Sequence, residues 1–247
     1  MADPPAAPRM YTDLAAWWPL ISPTVEYAEE ATYLAALLHS AAIPVREVLE
    51  LGSGGGHNAV HLRADFAMTL VDLSADMLAV SSRLNPECDH RLGDMRTVRL
   101  DREFDGVLVH DAADYLLDED DVRGAAETAY AHCRPGGVAV FVPDVTAETP
   151  RPSTEHGGSD GPDGRGARFL SWTWDPDPDD TWTQTEYAVL LRSADGSVQV
   201  VHDTHRTGLF GRADWQRLLS GVGFEVAAVV EQTSEDRIPR LLFVGRR

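Results

Sequence analysis

The chain of 247 residues contains no lysine: all 21 of its basic residues are arginines, set against 40 acids for a net charge of −19. A P-loop, a Schiff-base enzyme and a Tyr-x-x-x-Lys dehydrogenase each need a lysine, so those mechanisms are excluded. The surplus of acid makes a poor surface for nucleic acid or anionic lipid and an attractive one for a cationic small molecule such as an amine or a sulfonium. Cysteine is scarce too. Cys88 and Cys133 lack C-x-x-C spacing and fall inside regular-looking segments, which predicts buried free thiols rather than a bridge or a metal centre. No segment approaches about 18 consecutive apolar residues, and residues 1–8 hold no apolar core of signal-peptide length. A soluble cytoplasmic protein is expected.

A chain of this length buries roughly 70–75% of its unfolded surface, enough for one large domain or a domain with an insertion. Residues 11–21 carry Tyr11, Trp17 and Trp18 in a short apolar stretch that should dock on something. Between 23 and 40, Val25, Ala28, Ala31, Leu34, Ala35 and Leu38 recur at helical spacing behind Ser22 and Pro23. Alternations that read as βαβ units follow. Strands are expected at 47–51, 68–72, 90–92, 104–110 and 138–142. Between them fall helices at 57–64, at 75–84 behind Ser74, and one that starts on the acids 118–121 and ends at Pro135-Gly136-Gly137. From 145 to 168 the chain is rich in Pro, Gly and Ser, which reads as a lid or as disorder. Segments 169–174, 182–192 and 197–209, rich in Thr, Val, Trp and Tyr, turn at Ala194-Asp195-Gly196 and predict a small antiparallel sheet. A helix at 212–220 and strands at 224–230 and 240–244 complete the pattern. The expected fold class is α/β, a doubly wound, seven-strand, mostly parallel sheet with helices on both faces, plus an antiparallel β insertion before the last helix. Residues 1–22 form an N-terminal arm, 23–144 and 208–247 the core, and 145–207 the loop and insertion on the acceptor side.

The turn Glu50-Leu51-Gly52-Ser53-Gly54-Gly55-Gly56 directly follows a strand and opens a helix, so backbone can approach a ligand and the helix aims free N–H groups at it. Gly54-x-Gly56-x-x-Ala59 also partly fits a dinucleotide site, so the glycines alone do not choose the ligand. Polar residues at successive strand ends narrow the choice. Asp72, 16 residues after Gly56, is placed to accept both hydroxyls of a ribose, and Asp94 could accept an adenine amino proton while Met95 packs on the base. His110 and Asp111 end the fourth expected strand.

Through Val48-Leu49-Glu50-Leu51-Gly52-Ser53-Gly54-Gly55-Gly56, Val71-Asp72-Leu73-Ser74, Gly93-Asp94-Met95-Arg96 and Arg134-Pro135-Gly136-Gly137, the chain resembles the class I S-adenosylmethionine-dependent methyltransferases. Within that class it looks most like amino-sugar N-methyltransferases of antibiotic biosynthesis and, more distantly, glycine N-methyltransferase. Glu26-Tyr27-Ala28-Glu29-Glu30-Ala31, the β-rich insertion and Thr204-His205-Arg206-Thr207-Gly208-Leu209-Phe210 carry the narrower likeness. The resemblance implies S-adenosylmethionine as cofactor, with Gly52, Gly54 and Gly56 near its methionine part, Asp72 on ribose, and Asp94 and Met95 at adenine. It implies Tyr11 and Tyr27 at the methionine moiety or closing the pocket, and the cofactor-binding set further takes in Glu50, Leu73, Met77 and His110. His57 stands where many relatives have threonine.

Methyl transfer from a sulfonium is an in-line displacement, so alignment and exclusion of water do most of the work. Tyr11, Trp17, Trp18 and Tyr115 can form an enclosure that favours a cation. A protonated amine needs a proton acceptor, for which His110, Asp111, Asp114 and His205 are candidates; Tyr115, His110 and His205 are the preferred catalytic set. His202 and His205, three apart on a strand, should face opposite sides, so no metal site is expected. The expected acceptor is a small-molecule amine, with a hydroxyl as the alternative. A binding protein without turnover and a dehydrogenase stand behind these, and the sequence leaves monomer and homo-oligomer open.

Overall fold

The computed structural model describes residues 8–148, 152–234 and 239–247. Its centre is β1 (Glu47–Leu51), flanked by β2 (Ala67–Asp72) and β3 (Asp89–Leu92) on one side. On the other side lie β4 (Phe104–His110), β5 (Cys133–Val142), β11 (Leu241–Arg246) and β10 (Glu225–Val230). Strands β1 to β5 pair in parallel, and β11 runs antiparallel to β5 and β10. The helices α2 (Ala28–Leu38), α3 (His57–Leu62), α4 (Ala75–Leu84), α5 (Glu119–His132) and α6 (Arg212–Gly221) cover the faces, after a single-turn α1 (Trp18–Ile21). Every residue of β4 is buried, as a strand covered on both faces requires. Local signals set the helix starts: Ser74 Oγ accepts the Met77 N–H, and Asp118 Oδ1 accepts the Asp121 N–H at the acid-loaded turn of α5.

The insertion is a four-stranded antiparallel sheet of β6 (Ser153–Gly157), β7 (Gly166–Trp174), β8 (Trp182–Arg192) and β9 (Val198–Gly208). Its inner face begins apolar. Ala167, Val189, Leu191 and Val201 pack there against Met10, Leu14, Leu20 and Ile21 of the arm. Farther along, the same face turns polar with Ser171, Thr173, Thr183, Thr185, Asp203, His205 and Thr207, among which Thr173 pairs with Thr185 and Thr183 with Thr207, each at 2.8 Å. His202 lies on the opposite face from His205, as strand alternation demands.

Four expectations change. The stretch read as lid or disorder contains β6, held by pairing along β7; residues 149–151 of it lie outside the described residues. The helix expected over 23–40 starts as a 3-10 turn at Thr24–Tyr27, so Val25 is 75% exposed instead of in the core. β-branched Thr24 and Val25 are poor starters of a regular helix. α5 stops at His132, and Pro135-Gly136-Gly137 belongs to β5, whose early part pairs through the register shift between Phe104 and Gly106. Cys133 is buried, but Cys88 is only half-buried, in the turn before β3.

Trp215 of α6 is 1% exposed and stacks on Phe243 at 5.4 Å, between the helix and β11. Trp215→Ala should therefore lower unfolding stability by about 3–5 kcal/mol, read as the loss in urea-denaturation free energy.

Candidate active site

The strand order reverses between β1 and β4, and ligands of open α/β sheets bind at that point, outside the carboxyl ends of the strands. The glycine turn sits there. Gly52, Gly54 and Gly56 adopt φ of +75°, +53° and +74°, and a Cβ at Gly52 would collide with Ala112 beyond the end of β4. Asp72 ties the turn to the next strand: its Oδ2 accepts the Gly54 N–H at 2.7 Å and its Oδ1 the Ser74 N–H at 2.8 Å. Met77, fully buried, packs 3.6 Å from a Cβ built on Gly54. Burial raises the Asp72 carboxyl against those hydrogen bonds.

Glu50 is 3% exposed, and its Oε2 and the Ser53 hydroxyl have no hydrogen-bond partner among the described residues. Desolvation pushes Glu50 up to about 8, which keeps it protonated near neutral pH. His57, at the start of α3 with its ring 5.4 Å from Tyr27 and 6.1 Å from Trp18, is pushed down to about 4 by burial and stays neutral.

A second group of charges meets at the ends of β4, β5 and β10. β11 is antiparallel, so the residue before its start lies where its neighbours end. That residue is Arg240, 7% exposed, which contacts Glu30 of α2, Glu231 (2.8 Å), Asp144 (3.0 Å) and Asp111 (3.4 Å). Burial lowers it to about 10, so it remains a cation. His110 presents Nδ1 to Asp111 at 3.0 Å and Nε2 to Glu30 at 2.9 Å. Burial works against its charge, but Asp111 and the acids around it outweigh that and raise the imidazole, whose Nε2 also lies 3.5 Å from Arg240 Nη1. Asp114 rises to about 7 and Asp144 well above the usual range, each from desolvation first and with the repulsion of Asp111 adding to it; His110 offsets part of this at both. Asp144 and Asp111 are nonetheless half open, with 50% and 44% of their side-chain surface accessible. Asp111 also carries φ of +47°, a strained backbone, and its Oδ1 meets both His110 and Arg240.

The third group joins arm, core and insertion. Tyr115 Oη lies 2.8 Å from Tyr11 Oη and 2.8 Å from His205 Nδ1, and His205 Nε2 lies 3.0 Å from Asp203 Oδ2. Asp203 Oδ2 also accepts the Met10 N–H at 2.8 Å. Burial would raise Asp203, but the hydrogen bonds from His205 and from the Met10 and Arg9 amides hold it below the carboxylate range. Desolvation lifts Tyr11 and Tyr115 far above an ordinary phenol, so both stay protonated.

The structure thus gathers the expected Glu50, Gly52, Gly54, Gly56, Asp72, Met77 and His110 at one switch point and brings Tyr11, Tyr115 and His205 together beside it. Tyr27 bonds Ser22 Oγ at 2.8 Å next to His57. Met95 faces the glycine turn, its sulfur 3.7 Å from a Cβ built on Gly52. Leu73 is 68% exposed beside Asp72, and Asp94 is engaged by the Arg96 guanidinium at 2.6 Å, which holds it low. Sequence reasoning missed Glu30, Asp144, Asp203, Glu231 and Arg240. The one local signal was an arginine standing directly before an apolar strand.

Residues 48–137 match the profile of the methyltransferase domain. The chain is 29% identical over 203 residues, 81% of its length and 78% of the relative's, to a dTDP-3-amino-3,6-dideoxy-alpha-D-glucopyranose N,N-dimethyltransferase of Streptomyces fradiae. A dTDP-3-amino-3,4,6-trideoxy-alpha-D-glucopyranose N,N-dimethyltransferase of Streptomyces venezuelae is 27% identical over 89% of this chain and 91% of its own. Among solved structures, DesVI of Streptomyces venezuelae superposes with a TM-score of 0.81 at 26% identity, covering 95% of this chain and 97% of its own. The sugar N-methyltransferase KedS8 of a Streptoalloteichus species shares the fold at a TM-score of 0.83 and 24% identity, over 100% of this chain and 96% of its own.

A cation arriving beside Glu50 lets its carboxyl ionise, so binding S-adenosylmethionine near neutral pH should release a proton. Titration calorimetry in buffers of different ionisation enthalpy should give an observed heat that varies with the buffer, and Glu50→Gln should flatten that dependence. A wild-type heat independent of buffer would contradict the assignment.

Proposed function

We propose that this chain, an S-adenosylmethionine-dependent methyltransferase, transfers the methyl group to the nitrogen of a small-molecule amine, an amino sugar or related natural-product intermediate. When bound, the cofactor supplies a methyl group on a sulfonium, an electrophile that needs alignment more than covalent help. The residues fit it. The positive-φ glycines leave room for its methionine part beside Glu50, whose second oxygen is unpartnered, and beside the ring of Tyr27. Asp72 keeps lone pairs for two ribose hydroxyls, and Asp94, Met95 and Leu73 border the space for adenine.

The observation that carries the amine reading is the crowd of carboxyls at the strand ends. Asp114 and Asp144, crowded by Asp111, act electrostatically on Tyr187 of β8, on the same face of the insertion as the hydroxyls of Thr183 and Thr185. An arriving ammonium lets these raised carboxyls ionise beside it, and the hydroxyls suit a polyhydroxylated ring. Relatives that match both core and insertion are named for amino-sugar N-methylation, which supports the same reading. In this scheme His110 holds charge in the cavity floor, while Tyr115 and His205 receive the proton that the amine must lose before its lone pair can attack. The reading carries with it a cytoplasmic enzyme that takes no nucleic acid, which the net charge of −19 supports. Among the described residues no helix is long and apolar enough to cross a membrane.

The test is a panel of amino sugars, free, nucleotide-linked and aglycone-linked, run beside their hydroxyl counterparts, with the new methyl located by NMR. Methylation of nitrogen is expected. Methyl groups found only on oxygen would overturn the amine assignment in favour of a hydroxyl acceptor.

A further inference from the structure

An antiparallel sheet packed on one side commonly turns polar residues to the other. The insertion departs from that rule. Along β8 and β9 the odd-numbered residues face inward, Val189, Leu191 and Val201 among them, yet the even-numbered residues that face outward are largely apolar as well. Leu170, Trp172, Leu190, Val198 and Val200 are five of the ten large apolar side chains exposed among the described residues, from 47% for Leu190 to 71% for Val200. Register joins them into one patch: Leu170 stands beside Ala188, Leu190 beside Val200, and Val198 beside Arg192. Trp172 adds its ring, 4.7 Å from that of Trp174 on the same side of β7. A contiguous exposed patch of this kind marks an interaction site.

The charges around the patch say what covers it. With −19 on the whole chain, most of the surface repels a second copy. The outward strand residues instead hold Arg168, Arg192 and Arg206 against Glu186, with Asp160 bridging the first two arginines at 2.8 Å each. On β8, Glu186 and Arg192 stand three residues to either side of Val189. A two-fold axis lying across the strands at that level turns the sheet over and sets Arg192 opposite the partner's Glu186, and Glu186 opposite the partner's Arg192.

We propose that this outer face seats a second copy of the chain, in a two-fold dimer whose insertions pack face to face with β8 antiparallel to its counterpart. The inference goes beyond the methyl-transfer reading and stands whichever acceptor is methylated.

The size of the face suits the role. β8 and β9 run 11 residues each, about 37 Å, and four strands about 4.8 Å apart span about 19 Å. The shorter β6 and β7 reduce the face to roughly 600 Å2 in projection, and its side chains raise the accessible area towards the about 800 Å2 that each partner gives to a specific stable interface. Aromatic Trp172 and the aliphatic patch fall at the centre of such a contact, and the charged residues fall at its rim. A two-fold contact closes on itself, so it covers the patch without leading to a chain of copies. Thr183, Thr185 and Tyr187 alternate along β8 with the outward Gln184, Glu186 and Ala188, so a partner seated outside also stiffens the strand that carries the inward residues.

Sedimentation equilibrium of the full chain at micromolar concentration tests the proposal. The wild type should sediment at twice the 27.0 kDa of one chain. Val200→Glu and Leu170→Glu, each with an unchanged circular dichroism spectrum, should sediment as single chains, their dissociation constants raised about 100-fold or more. Arg192→Glu and Glu186→Arg should each weaken the dimer about tenfold, and an equal mixture of the two should recover it, because the reversed charges then meet across the two-fold. A wild type that sediments as a single chain, a dimer that Val200→Glu leaves intact, or a mixture no tighter than its two components would overturn the proposal. If either glutamate variant fails to fold, Trp172→Arg takes its place in the comparison.

Discussion

The half of the site proposed for the cofactor depends on one carboxylate. Asp72 stands at the end of β2, and its two oxygens accept the backbone N–H groups of Gly54 and Ser74. Through the first it sets the path of the glycine turn, and through the second the start of α4, where Ser74 Oγ caps the helix and also donates to the Tyr11 carbonyl at 2.5 Å. Turn, strand, helix and arm therefore meet at a single half-buried group. Two charge-assisted hydrogen bonds to backbone are among the stronger fixed contacts a protein can make, and they leave lone pairs over for a ligand.

The half proposed for the acceptor is built on a different constraint, many carboxyls in a confined space. Glu30, Asp111, Asp114, Asp144 and Glu231 converge where the strands end around His110, and Arg240 supplies the buried positive charge. Crowding there raises Asp114 and Asp144, while Asp111 and Asp144 keep about half of their side-chain surface open. A chain without lysine meets that demand with a guanidinium, whose planar fork can serve several carboxylates at once.

Much of the fold was legible because its signals are local. Ser74 before an apolar helix, acids at 118–121 and the uniformly apolar β4 each specify their element within a few residues. β6 was not legible: Ser153–Gly157 is polar on both faces and is a strand only because β7 offers it a partner. The run Pro135-Gly136-Gly137 carries a helix-stop signal, yet the helix had already ended at His132, and tertiary pairing with β4 made the run a strand.

The site divides in the same way. The glycine turn and Asp72 could be read from spacing along one βαβ unit. Arg240 and Glu30 lie at opposite ends of the chain, and Asp203 became visible only when β9 placed it on the face of His205. The charge balance of the cavity and the anchor of the tyrosine row are properties of packing, on which a single sequence is silent.

The most direct measurement is the affinity for S-adenosylhomocysteine, by calorimetry, of Asp72→Asn against the wild type, with circular dichroism as the check on folding. Asparagine can accept on only one atom, so either the glycine turn or the α4 start loses its partner and the proposed ribose contact is halved. The account predicts binding weaker by about a hundredfold, near 2.7 kcal/mol, in a folded variant. An affinity within about twofold of wild type would contradict it.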